Sequence, residues 1–237
     1  MKEGSAIKPI YRPPIYYFLS YLQRNNEIAA GEKTILDCGA SGLVPPLGLF
    51  YEHGFTTYGI DISEEQIARS HAFEIDHDMN LNIQEGDMRA IPFPDDHFDF
   101  VYELYSMVHH SKDDIQIALS EMYRVLKPNG VCFVSFMSAE CWPMDGIEEK
   151  PGEFLCREHD QQVIHSIFSD SEALQFCANW HIMDMVKQSI SSPEDVAQTT
   201  LEEWEEYYNE NKPAVDRQEW MCRGKVVRSY SGKVKMS

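Results

Sequence analysis

The chain has 237 residues, 43% of them hydrophobic, and a formal net charge of −19 from 39 acidic and 20 basic side chains. It contains no apolar run long enough to span a bilayer, no signal-peptide core in "MKEGSAIKPIYRPP", and no Lys/Arg cluster ahead of the weak tail "RGKVVRSYSGKVK". These features count against a membrane protein, a secreted protein and a nucleic-acid binder, and they fit one cytoplasmic globular domain taking a neutral or cationic small molecule.

In chain order, residues 1–14 are Pro-rich and irregular, and apolar spacing predicts a helix over 15–26. "KTILDCG" (33–39) reads as a buried strand. "PPLGLFYEHG" (45–54) reads as a helix with Pro at its start and Gly at its end. A second strand follows at 56–62, and "SEEQ" (63–66) is a capping box that opens the next helix. Strands are expected at 81–88 and 98–104, a helix over 113–130 stopping at Pro-Asn-Gly, and a strand at 131–138. Nearly continuous apolar strands alternating with helices imply parallel pairing, right-handed crossovers and helices on both faces of the sheet.

Beyond residue 138 the pattern loosens. Residues 139–168 are long and mixed, and "SDSE" (169–172) caps a helix expected to reach about Trp180. A strand is expected at 181–189, an acidic helix at 200–213 and a last strand somewhere within 220–230. None of the six cysteines forms a C-x-x-C pair, so no metal site is expected and the thiols should be free.

The stretch "ILDCGASGLVPP" ends a strand in a turn with two glycines, Gly39 and Gly42, ahead of a helix. In an open parallel sheet such a turn lies beyond the carboxyl ends of the strands, where ligands bind. Missing Cβ atoms let a ligand meet bare backbone. Asp61 closes the second strand, where an acid accepts hydrogen bonds from a ribose diol. The turn fits neither the dinucleotide pattern G-x-G-x-x-G nor the nucleophile elbow G-x-S-x-G.

Together "ILDCGASG", "YGIDIS", "EGDMRAIPFPDDHFDFVYE" and "EMYRVLKPNG" resemble, in order and spacing, the class I S-adenosylmethionine-dependent methyltransferases over about residues 33–138. Ser41 and Leu43 stand where the family pattern has its second and third glycines. The resemblance implies a Rossmann-like αβα sandwich with a mostly parallel seven-stranded sheet whose last strand is antiparallel. It implies one methyltransferase domain: an N-terminal helical lid (1–30), a cofactor core (31–138), and substrate-side insertions with sheet-closing strands (139–237).

The same resemblance implies a cofactor set of Tyr17, Asp37, Gly39, Ala40, Ser41, Asp61, Ile62, Gln66, Gly86, Asp87, Met88, Glu103 and Leu104. In it Asp37 faces the cofactor's amino group, Asp61 the ribose hydroxyls and Asp87 the adenine amino group. Glu103, Tyr105 and His109 are the candidates next to the transferred methyl. Aromatics outside the core are candidates for gripping the acceptor: Tyr11, Tyr16, Tyr17, Trp142, Trp204, Tyr207 and Tyr208. A non-catalytic nucleoside-binding regulator and a protein methyltransferase are the competing readings.

Overall fold

A computed structural model describes residues 9, 11–25, 33–40, 42–140, 146–158 and 161–190, with the backbone of 227–235. Its first helix, α1 (Pro13–Arg24), begins two residues before the expected start, because Pro13 and Pro14 fit a first turn that needs no N–H donors. Ile15, Phe18, Leu19 and Leu22 recur at i, i+3, i+4 and i+7, and that stripe is buried. Phe18 stacks on Phe133 at 5.0 Å and meets Phe50 edge-on at 5.9 Å.

The core follows the expected alternation: β1 (Thr34–Cys38), α2 (Leu47–Glu52), β2 (Thr56–Asp61), α3 (Glu64–His77), β3 (Ile83–Glu85), β4 (Phe98–Tyr102), α4 (Lys112–Val125) and β5 (Leu126–Ser138). Strands β1, β2, β3 and β4 pair in parallel, and β4 pairs in parallel with β5. Neighbouring residues of a strand feed opposite faces, as the two-residue period of a strand demands. Ile35, Phe100 and Val131 pack with α1, α2 and α3. Leu36, Val101 and Cys132 pack with α4 and with α5 (Asp170–Phe176). The result is a helix–sheet–helix sandwich.

The α4 helix stops five residues before the expected end. Pro128 biases Lys127 away from helical backbone, and Leu126 is already extended, pairing with Phe98. The register then slips before Val131, and Asn129 takes φ +63°. Pro-Asn-Gly therefore lies inside an irregular strand entry, not at a helix end. β3 is shorter than expected, and α5 ends at Phe176, where Cys177 caps it.

Residues 146–168 hold three strands the sequence pattern did not indicate: β6 (Gly146–Lys150), β7 (Glu153–Glu158) and β8 (Gln161–Phe168). They form an antiparallel run joined to the end of β5 through Met137–Ile167 and Ser138–Phe168. β9 (His181–Ile190) is the expected late strand. β10 (Val227–Lys235) overlaps the expected last strand but runs further toward the C-terminus, antiparallel to both β5 and β9. The main sheet runs β3-β2-β1-β4-β5-β10-β9, with β10 its antiparallel member, and β8, β7 and β6 raise the strand count from seven to ten. The expected helix at 200–213 lies outside the described residues. No helix among the described residues is long and apolar enough to cross a membrane.

Candidate functional site

The turn after β1 is built around Gly39. Its φ is +108°, and a Cβ there would stand 2.0 Å from Ser106 Oγ. The N–H groups of Gly39 and Ala40 both donate to the Ile60 carbonyl, at 2.8 and 3.0 Å, binding the turn to the end of β2. Gly59 admits the Ala40 methyl, since a Cβ on Gly59 would lie 2.4 Å from it. At the end of β2, Asp61 Oδ1 accepts the Ser63 N–H at 2.8 Å, while Ser63 Oγ caps α3 through the Gln66 N–H. The Asp61 carbonyl accepts the Gly86 N–H at 3.0 Å, so three strand ends are tied side by side.

A cleft of about 750 Å³ opens at these ends. Nine of the sequence candidates line it: Gly39, Asp61, Ile62, Gln66, Gly86, Met88, Leu104, Tyr105 and His109. Tyr11, expected on the acceptor side, lines it too. Arg12, Ser106, Val44 and Val163 also line it and were not singled out by sequence. Val163 sits on β8, a strand without a periodic signal. Ser106 is placed by its contact with Gly39. Arg12 precedes two prolines, a helix-start signal that says nothing of its side chain.

Five candidates lie away from the cleft wall. Tyr17 donates its hydroxyl to Asp184 on β9, which pushes the phenol up to about 12. Ala40 is fully buried against Gly59. Asp87 is committed to Arg89, whose Nε and Nη2 reach its two oxygens at 3.0 and 2.7 Å. That pairing holds the Asp87 carboxyl below its ordinary range. Arg89 also reaches Asp114 at 3.3 Å, at the start of α4.

Glu103 is fully buried and accepts four hydrogen bonds: from Ser135 N–H and hydroxyl, at 2.5 and 2.7 Å, and from Ser106 and Met107 N–H, each at 3.1 Å. Burial raises its carboxyl above the usual range even against those donors. It fastens β4, β5 and the single 3₁₀ turn Met107–His109 together, and has no wall in the cleft. Asp37 lies beneath the turn, buried beside the Tyr102 hydroxyl. Its Oδ2 has no hydrogen-bond partner among the described residues. Burial, then Glu103 and Asp61, push its carboxyl well above the ordinary range. Ser41 lies outside the described residues, as do Trp142, Trp204, Tyr207 and Tyr208. Tyr16 is on the outer surface, its hydroxyl accepting the Tyr11 N–H at 3.4 Å.

The far wall of the cleft comes from the turn after β4. Tyr105 has φ +62° and donates its N–H to Ser135 Oγ at 2.9 Å. His109 meets the buried His165 of β8 edge-on at 5.0 Å. Ser166 Oγ donates to the His110 carbonyl at 2.7 Å, which pins β8 to the turn. Burial, then the nearby Arg89, keeps His110 below its ordinary range. Among the described residues no group of three or more His, Cys, Asp or Glu is placed to hold a metal ion. The described cysteines Cys38, Cys132, Cys156 and Cys177 are all buried.

Residues 36–134 match the family model described as a methyltransferase domain. A sterol 24-C-methyltransferase of Gibberella zeae is 30% identical over 134 residues, which is 55% of this chain and 34% of that protein. A 27-O-demethylrifamycin SV methyltransferase of Amycolatopsis mediterranei is 31% identical over 105 residues, 44% of this chain and 38% of that protein. This chain thus spans about a third of the length of such relatives. Among solved structures, a SAM-dependent methyltransferase from Methanosarcina mazei shares the fold, with a TM-score of 0.66 and 16% identity over 96% of this chain and 99% of that one.

Proposed function

We propose that the chain is a class I S-adenosylmethionine-dependent methyltransferase, as its methyltransferase-domain match and its relatives support, and that it moves a methyl group from that cofactor to a small-molecule acceptor. The observation that carries this reading is the cleft itself. It puts Gly39, which has no Cβ, the Asp61 carboxylate and the Ile62 and Met88 side chains along one edge of a parallel sheet. The residues present fit the cofactor. Asp61 is placed to accept from a ribose diol, Ile62 and Met88 to flank a purine, and the orphaned Asp37 Oδ2 to receive an amino donor directly or through water. Asp87, held by Arg89, leaves the purine edge to the backbone around Gly86 and Met88.

When bound, the cofactor supplies a sulfonium methyl that is already activated for in-line displacement. The protein's task is then to hold an attacking atom about 3 Å from that methyl and to exclude water. Leu104 and Tyr105 form the apolar floor on that side, and Val163 faces them from β8. His109 is the group placed to take a proton if the attacking atom carries one. Residues 11–25 serve as the cover and β8 as the acceptor wall, with Tyr11, Arg12 and Val163 as their contributions to the cleft. The relatives are named for a sterol and a demethylrifamycin, both small molecules, which supports the acceptor class.

Calorimetric titration tests the reading. The wild-type protein should bind S-adenosylmethionine and S-adenosylhomocysteine and not NAD. Asp61→Ala should weaken both sulfur ligands by at least about tenfold, the loss expected for two charge-assisted hydrogen bonds. Binding of NAD without either sulfur ligand would sink it.

A further inference from the structure

The charged groups lining the cleft are unevenly placed. Among its described residues the one acidic side chain is Asp61, at the β2 end, and the one full cation is Arg12. Arg12 belongs to the β4 end, where its guanidinium sits over the Tyr105 ring, 5.2 Å from the centroid. Tyr105 is a firm support. Its N–H is held by Ser135, and Ser135 is held in turn by Glu103. A guanidinium over a ring keeps its five in-plane N–H donors available for a planar oxyanion. Arg12 makes no ion pair with any described residue and is exposed at the cleft mouth, as is His109. The walls beside it, Leu104, Tyr105 and Val163, are apolar.

From this arrangement we propose that Arg12 selects an anionic acceptor: a small molecule with an apolar body and a carboxylate or phosphate held by its guanidinium at the β4 end of the cleft. The proposal rests on the methyltransferase reading. It reverses the expectation drawn from the net charge of the whole chain. Charges beyond about 10 Å are largely screened at physiological ionic strength, so the groups at the mouth set what it attracts. The cofactor has a carboxylate of its own. Exposure at the mouth assigns Arg12 to the molecule arriving from solvent, and the test separates the two.

The experiment is calorimetry on the protein saturated with S-adenosylhomocysteine, using benzoate, phenyl phosphate, benzyl alcohol and benzylammonium as probes. Benzoate or phenyl phosphate should bind more tightly than the other two, and the stronger of this pair identifies the anion. Arg12→Gln should cost the anions about tenfold, as loss of a charge-assisted pair does, and leave benzyl alcohol unchanged. Arg12→Lys should retain part of the anion preference. Affinities for S-adenosylhomocysteine and for 5′-methylthioadenosine, which lacks the amino-acid end, should stay within about twofold in Arg12→Gln, and this also reports a folded site. Anions binding no better than benzyl alcohol would overturn the proposal. So would an Arg12→Gln protein that loses S-adenosylhomocysteine but keeps 5′-methylthioadenosine, since Arg12 would then hold the cofactor. Failure of both nucleosides to bind the wild-type protein would remove the methyltransferase reading, and this proposal with it.

Discussion

At Gly39 two independent constraints meet. Its φ of +108° is open only to glycine, and Ser106 fills the space a Cβ would need. Gly39→Ala should therefore lower stability by about 1–3 kcal/mol through backbone strain and collision and abolish measurable binding of S-adenosylhomocysteine. Adding Ser106→Gly should return the steric part of the stability and not the backbone part, which thermal unfolding of the single and double variants would show. Glu103 separates a structural role from a catalytic one. Glu103→Gln turns an NH₂ group toward N–H or O–H donors, so unfolding should cost about 1–3 kcal/mol less than in wild type. A variant as stable as wild type but inactive would instead return Glu103 to the chemistry. The positions of Gly39 and Asp61 at the cleft were legible because their signals are local: a glycine turn after one strand, and an acid ending the next. Glu103 was not, because what defines it is Ser135, 32 positions away. The partner of Asp87 is only two positions along, so the D-x-R spacing is the signal by which sequence could have found that pair.

Among the elements, β1, β4 and β5 are clamped at their amino ends by one carboxylate. Asp99 accepts from the Thr34 N–H and hydroxyl at 3.0 and 2.9 Å and from Lys127 at 2.9 Å. Burial opposes its ionisation, but these donors together hold the carboxyl down to about 2. A carboxylate depressed in the fold adds stability that is complete above its unfolded value, about 3.9, and is lost as the pH falls through 4 toward 2. The clamp should contribute about 2 kcal/mol at neutral pH. Urea unfolding at pH 7 and pH 2.5 should show wild type losing about that much more than Asp99→Asn. Equal losses would mean that the clamp is not ionic. The core elements were readable because each buries one regular stripe, helical in α1 and nearly continuous in β1 and β4. β6 was unreadable because every residue in it is exposed, leaving no apolar alternation to detect. β8 is buried only at its end, against the turn after β4, so its pattern depends on a tertiary contact. The end of α4 was misplaced because Pro-Asn-Gly is a helix stop in most settings, whereas here Leu126 had already joined the sheet beside Phe98.

For the molecule as a whole, the excess of 19 negative charges sets a sign that no single pair decides. Added salt screens two opposing things: attraction within ion pairs, and repulsion among unpaired acids. Exposed pairs among the described residues, such as Arg69–Glu65 and Lys150–Asp113, are each worth about 0–1 kcal/mol. Repulsion from a large net charge destabilises the compact state more than the expanded one, since folding brings the acids closer. Raising NaCl from 10 to 150 mM at pH 7 should therefore raise the melting temperature, by a few degrees if screening returns about 1 kcal/mol. A fall would show that attractive pairs dominate. The same two concentrations bear on the cleft in the opposite direction. An anionic acceptor drawn to Arg12 would bind more weakly in salt while the fold became more stable, so affinity and melting temperature should move apart. If the acceptor were cationic, the distant acids would add to its attraction, and its affinity would also fall with salt. The sign of the salt effect on binding therefore does not distinguish the two; the ranking of charged and neutral probes and the Arg12→Gln comparison do. The charge of the whole chain governs its stability, and the charge within a few ångströms of Tyr105 governs what it binds.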